Sequence, residues 1–249
     1  MFRFKQELLA VEVHDTRVEM GQAAAAAAAE HLSGAAMFAS AASQVECLNA
    51  LRGNSSIDWR RVTAFHLDEY VGMPPDHPAS FRRFIRQHLL DHVPVRTFHA
   101  LTGEAAVPEA ECSRYAGLLS EHPPQLCILG VGENGHLAFN DPPVARFDDP
   151  LAVKVVELDR VCREQQVHDG AFAAFDEVPA HALTVTVRRI MEVPRLVVVV
   201  PGARKAAAIQ AALEGPVTTG CPAAILRSHP DATLFLDRES ASLLAVGRG

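Results

Sequence analysis

RLVVVVPGARKAAAIQAALE, residues 195–214, decides the fold reading. Leu196 to Val200 is an unbroken apolar run dominated by β-branched valine, which suits a strand covered on both faces and is far too short to span a bilayer. Pro201-Gly202 interrupts the run, and Ala203 to Glu214 has helical composition. A doubly buried strand that turns directly into a helix is the building unit of a parallel sheet.

The same unit recurs on both sides of that stretch. Strands are predicted at Arg195 to Pro201, Ala36 to Ser40, Arg61 to Leu67, Gln125 to Val131, Ala182 to Val187 and Thr233 to Leu236. Helices are predicted at Thr16 to Leu32, Gln44 to Leu51, Pro78 to Asp91, Glu109 to Glu121 and Ala203 to Glu214. The alternation implies an α/β fold: a Rossmann-like, doubly wound, mainly parallel sheet with helices on both faces. The alanine run at 23–29 fits a helix face packed closely on such a sheet. No Pro/Gly/Ser linker and no internal repeat divides the chain, so residues 1–249 are expected to form a single domain.

Composition narrows the partners. The chain is 49% hydrophobic and 21% charged, and Lys+Arg 23 against Asp+Glu 30 leaves a net charge of −7. No bulk cationic field is available for a nucleic acid or an anionic membrane, so an anionic partner must be small and locally held. The five cysteines are scattered with no C-x-x-C spacing, which favours free thiols in a reducing compartment. MFRFKQELLAVEVHD carries charges inside its apolar stretch and lacks a cleavage pattern; together with the thiols this places the protein in the cytoplasm.

In open parallel sheets ligands bind at the carboxyl ends of the strands, and four segments there carry candidate chemistry. In Phe65-His66-Leu67-Asp68-Glu69-Tyr70 an apolar strand emerges into two acids, where low-dielectric surroundings can raise one pKa and produce a general base; the alternative is that Asp68 caps the next segment and Glu69 is solvated. In Gly130-Val131-Gly132-Glu133-Asn134-Gly135-His136 the glycines allow close backbone approach. They are not a dinucleotide fingerprint, because His136 stands where the third glycine would be. An acid or amide from Glu133, Asn134 or Asp141 on one ring nitrogen would leave the other for proton transfer. At Pro201-Gly202-Ala203-Arg204-Lys205 the free N–H groups of a helix start and Lys205 suit a phosphate, a solvated lysine being the alternative. Ser40, Ser43 and Gln44 can donate to phosphate or sugar oxygens, although serine is also a common helix cap. His88 and His92 lack a third ligand nearby and Cys127 lacks a base, so neither a metal site nor a thiol nucleophile is expected.

Taken together, LDEYVGMPPDHPASFRRFI from Leu67, GVGENGHLAFNDPP from Gly130, VPAHALTVTV from Val178 and PGARKAAAIQAALEGPV from Pro201 resemble the glucosamine-6-phosphate deaminase/isomerase family, related to the 6-phosphogluconolactonases, over nearly the whole chain. GHLAFNDP favours the deaminase branch. The resemblance implies aldose–ketose isomerisation with deamination of a phosphorylated amino sugar, with glucosamine 6-phosphate the leading candidate, and no cofactor or metal. It assigns Asp68 as the base between C2 and C1 and His136 to ring opening, with Glu69, Asn134 and Asp141 in the catalytic set. Asp141 is one methylene shorter than the family's usual glutamate. Lys205 corresponds to the family's phosphate lysine, with Ser40, Ala41, Ser43, Gln44 and Gly135 completing the binding set. A homo-oligomer is compatible with the resemblance.

Two departures stand out. The family's phosphate loop is commonly Thr-Gly-Ser/Gly-Thr-Pro, whereas this chain has Ser40-Ala41-Ala42-Ser43-Gln44. The stretch Asp159 to Gly170 differs from the one that supplies a phosphate-binding arginine, leaving Arg163 as the candidate replacement. Basic residues of the allosteric site in hexameric bacterial members are not recognisable, so no such regulation is expected. Lactone hydrolysis with His136 activating water is the alternative enzyme class, and a non-catalytic sugar-phosphate sensor is the third reading.

Overall fold

The apolar run at 196–200 lies near the middle of an eight-stranded sheet in the computed structural model, which describes residues 1–245. In chain order the strands are β1 (Phe2–Gln6), β2 (Leu9–His14), β3 (Ala35–Phe38), β4 (Thr63–His66), β5 (Asp68–Tyr70), β6 (Thr97–His99), β7 (Leu126–Leu129), β8 (Val153–Glu157), β9 (His181–Val185), β10 (Arg195–Val200) and β11 (Ala232–Asp237). The helices are α1 (Arg17–Ala29), α2 (Val45–Arg52), α3 (Phe81–His88), α4 (Pro108–Glu121), α5 (Arg160–His168), α6 (Val187–Met191) and α7 (Ala206–Glu214). The large sheet runs β1-β2-β11-β10-β7-β3-β4-β6 and is parallel throughout except for the β1–β2 hairpin at one edge.

Alternate residues of the central strands feed two cores. Leu196, Val198 and Val200 pack with Ile209 and Leu213 of α7 and Tyr115 and Leu119 of α4. Val197 and Val199 pack with Met20 and Ala24 of α1 and Leu48 and Leu51 of α2. Each such side chain stabilises the fold by roughly 1.5–3 kcal/mol through burial, which explains why the sequence there is continuously apolar rather than alternating. Helices therefore do cover both faces, as the doubly wound reading requires. The alanines of α1 allow it to lie close to α2; a Cβ on Gly21 would come within 2.6 Å of Glu46 Cβ. Thr16 and Glu19 close a capping box at the start of α1.

Three differences from the sequence reading have local causes. The N-terminal segment is a hairpin, in which Leu9, Val11 and Val13 alternate into the core while Glu12 faces outward. The predicted strand Ala182 to Val187 leaves the main sheet: it is β9, which pairs antiparallel with β5 and β8 in a separate three-stranded sheet. The predicted helix Pro78 to Asp91 shortens to α3 because Ser80 caps its start and Leu89 leaves helical geometry at its end.

The divergence of the two sheets places Asp68. β4 ends at His66 in the large sheet and β5 begins at Asp68 in the small one, with Leu67 O accepting from Val185 N at 2.8 Å. At the split the Tyr115 hydroxyl donates to His66 O at 2.8 Å and accepts from His66 N at 3.0 Å, satisfying both backbone groups that the parting strands release. Among the described residues no helix is long and apolar enough to cross a membrane.

Candidate active site

A crevice opens at the carboxyl ends of β3, β4 and β7, where strand–loop–helix connections converge. Its polar wall comprises Ser40, Ser43, Asp68, His136, Gln165, Gln166, Asp169 and Lys205. Apolar contacts come from Phe81, Phe84 and Phe139.

Asp68 is buried, its Oδ1 has no hydrogen-bond partner, and burial followed by the charge of Glu69 pushes its pKa well above the ordinary carboxylate value. Such a carboxyl lacks the donors that would stabilise its anion, which makes it a stronger base once ionised. His136 faces the same crevice from the loop after β7. A Cβ on Gly132 would lie 2.2 Å from the imidazole Cε1 and Nε2, so glycine is what lets the ring lie across that backbone. His136 Nδ1 is 2.7 Å from Asp141 Oδ1, which sets the carboxylate against that side of the ring. The arrangement leaves Nε2 for chemistry.

Asn134 braces this dyad. Its Oδ1 accepts from His136 N at 3.1 Å, and its Nδ2 donates to Asp141 Oδ1 at 3.0 Å and to Asp159 Oδ2 at 3.1 Å. Burial alone would raise the Asp141 pKa, but His136, Asn134 and the Asp159 N–H outweigh it and hold the carboxyl below its ordinary range. His136, Asp141 and Cys162 form the one group of three metal-ligating side chains within mutual reach among the described residues. Both Asp141 oxygens already accept hydrogen bonds, Oδ1 from Asn134 Nδ2 and Oδ2 from Asp159 N at 3.3 Å.

The candidate anion-binding end is built from the loop before α2 and the turn before α7. Ser40 is buried, lines the crevice and carries an Oγ with no partner. Ala41 and Ser43 line the wall beside it. Lys205 is buried; desolvation lowers its pKa, while the charges of Asp169 and Glu133 work in the opposite direction. An anion arriving beside this ammonium would recover the Coulomb energy that burial costs it.

Six sequence-predicted residues lie outside the wall: Asn134 and Asp141, which stand behind His136, and four others. Glu69 is neither solvated nor in the crevice: its carboxylate accepts from Phe81 N, Arg82 N and Ser80 Oγ at 3.1, 3.0 and 2.9 Å, so it caps α3 from within the core. Gln44 is wholly buried and donates to Val199 O at 3.1 Å, tying the loop to β10. Gly135 has a φ of +84° and backs onto Cys221, shaping the loop without reaching the crevice. Arg163 is not the replacement arginine: its Nη2 donates to Phe175 O and Val178 O, and its guanidinium stacks on the Phe175 ring at 4.1 Å. Gln165, Gln166 and Asp169, which do reach the crevice, escaped sequence reasoning because their segment reads as polar surface. Cys127 is a buried filler, and His92 Nε2 lies 2.9 Å from Gln87 O.

Comparison with known proteins agrees with this geometry. Residues 10–235 match the model of the family described as glucosamine-6-phosphate isomerases/6-phosphogluconolactonase. This chain belongs to that family. A glucosamine-6-phosphate deaminase of Listeria innocua is 39% identical over 80% of this chain and 83% of its own length, and one of Exiguobacterium sibiricum is 39% identical over 76% and 73%. Among solved structures, one described as a monomeric glucosamine-6-phosphate deaminase superposes with a TM-score of 0.87 at 28% identity, covering 94% of this chain and 99% of that one. A 6-phosphogluconolactonase of Trypanosoma brucei, at 19% identity and a TM-score of 0.73 over 94% and 98%, shares the fold.

Proposed function

We propose that the protein converts glucosamine 6-phosphate and water to fructose 6-phosphate and ammonia. The observation that carries this reading is the buried Asp68 carboxyl with its unpartnered Oδ1, facing the same crevice as the His136–Asp141 dyad. With the phosphate held near Ser40, Ser43 and Lys205, the sugar extends toward both groups. His136 moves the ring-oxygen proton as the pyranose opens. Asp68 takes the proton from C2, giving an enolamine, and returns it to C1; water then displaces ammonia from the resulting C2 imine to leave the ketose. Each step is a proton transfer or an imine hydrolysis, chemistry that this set of side chains supplies without a redox group. The relatives named as glucosamine-6-phosphate deaminases support the choice of substrate. The reading needs a small sugar phosphate as its partner and neither nucleic acid nor membrane.

The test is a panel of glucosamine 6-phosphate, galactosamine 6-phosphate, unphosphorylated glucosamine and 6-phosphogluconolactone, assayed for ammonia, ketose and acid. Ammonia and ketose in equal amounts from glucosamine 6-phosphate are expected. Acid release from the lactone with no ammonia from any amino sugar would replace the reading with hydrolysis.

A further inference from the structure

The anion-binding end of the crevice is bordered by a cation that the sequence motifs do not single out. A second cleft, lined by Arg17, His168, Arg204 and Glu239, adjoins the first and shares with it Ala42, Ser43, Asp169 and Lys205. Their common border is therefore the phosphate loop and the Lys205 ammonium.

The guanidiniums in reach differ in how firmly they are held. Arg17 is committed, its Nη2 donating to Ala42 O at 2.7 Å and its Nε lying 2.7 Å from Glu46. Arg204 is 55% exposed and rests against two acids, Nη2 2.9 Å from Asp169 Oδ1 and Nε 3.5 Å from Glu133 Oε1. Gln165 Nε2 donates to the other Asp169 oxygen at 3.3 Å, so the carboxylate has an anchor besides Arg204, whose guanidinium has only its two acids. An ion pair this exposed contributes little net stability, whereas a guanidinium on a phosphate dianion forms two charge-assisted hydrogen bonds. Asp169 also faces the crevice beside Lys205, where its charge opposes an incoming phosphate unless a cation covers it.

We propose that Arg204 is a phosphate clamp, held at rest by Asp169 and Glu133 and turning over Lys205 to bond a phosphate seated at Ser40 to Ser43. Asp169 sets the resting position and tunes affinity by opposing the anion. This rests on the sugar-phosphate reading above and names the guanidinium that serves it. Ser40, buried with an unpartnered Oγ at the same end, is the independent sign that a polar ligand is accepted there.

The experiment compares wild type with Arg204→Gln, Arg204→Lys and Asp169→Asn, measuring kcat and KM for glucosamine 6-phosphate and the Kd of inorganic phosphate by calorimetry. Arg204→Gln should raise KM and the phosphate Kd by about tenfold or more, out of proportion to any change in kcat. Arg204→Lys should recover part of the loss, because lysine keeps the charge but not the fork. Asp169→Asn should move both constants the opposite way. Phosphate binding that depends on Arg204 in a protein that turns over no amino sugar phosphate upholds the clamp and overturns the deaminase reading. Turnover with a KM and phosphate Kd indifferent to Arg204→Gln overturns the clamp alone.

Discussion

Asp68 and Asp169 both face the crevice, but of the two only Asp169 is paired. The lack of a partner for Asp68 has a consequence for stability as well as catalysis. Its folded pKa is raised above the ordinary 3.8, so its contribution to stability is fully present below that pH and is lost as pH rises through the folded value. Asp68→Asn removes the buried charge. The variant should abolish ammonia release yet melt at a higher temperature than wild type at pH 8, by about 2–4 °C for each kcal/mol relieved, with the advantage shrinking toward pH 4. Calorimetric melts across that range check the sign. Asp141→Asn acts differently, because it leaves His136 Nδ1 facing an amide in place of a carboxylate. Loss of the oriented imidazole is expected to lower kcat by roughly 10²–10⁴-fold in steady-state assays, with KM less affected. Asp68 and His136 could be placed at the crevice from the sequence because each follows the carboxyl end of an apolar strand, β4 and β7. Glu69 was misread because its partners, Ser80 to Arg82, are more than ten residues away and nothing local announces them.

The elements explain why the site holds its shape. Asp68 reaches the crevice because β4 and β5 part company at Leu67, and the Tyr115 hydroxyl of α4 takes both backbone groups of His66 at the split. Tyr115→Phe leaves those groups unpaired in the core and should cost about 1–3 kcal/mol in urea denaturation, with a fall in kcat as Asp68 loses its placement. Glu69→Ala strips the start of α3 of its buried acceptor and leaves Arg82 Nε without that partner, so a loss of at least about 3 kcal/mol is expected by the same method. Strands β3, β4, β7, β10 and β11 were readable because burial on both faces demands continuous apolar runs. The three-residue β5 and the polar α5 were not, since neither carries a run or period long enough to register. Arg163 shows the cost: it was the candidate replacement for the family's phosphate-binding arginine in a stretch that departs from the family, whereas α5 turns it toward Phe175.

For the whole molecule, the net charge of −7 contrasts with the cations beside the crevice, Arg204 and Lys205 in the turn before α7 and Arg17 at the start of α1. The thiols provide a global check on the packing. Cys47, Cys112, Cys127 and Cys162 are buried and Cys221 is half-buried. Burial pushes Cys47 and Cys112 up to about 12. Native protein should therefore expose at most one thiol to a disulfide reagent on the time scale of minutes, and all five should react in denaturant. Rapid reaction of several thiols in the native state would contradict the packing around both sheet faces. The doubly wound architecture was legible from repeated strand–turn–helix junctions, while the separate three-stranded sheet depends on β9 pairing antiparallel both with β8 and with β5, and β5 lies more than 100 residues earlier in the chain.

The proposed mechanism depends above all on Asp68 as the base that carries a proton between C2 and C1 of a phosphorylated amino sugar. Its most direct test is kcat/KM for ammonia release from glucosamine 6-phosphate, followed against pH in wild type and in Asp68→Asn. An acid limb displaced above the ordinary carboxylate range is expected in wild type, with no measurable ammonia from the variant. Full activity in Asp68→Asn with an unchanged pH profile would contradict it.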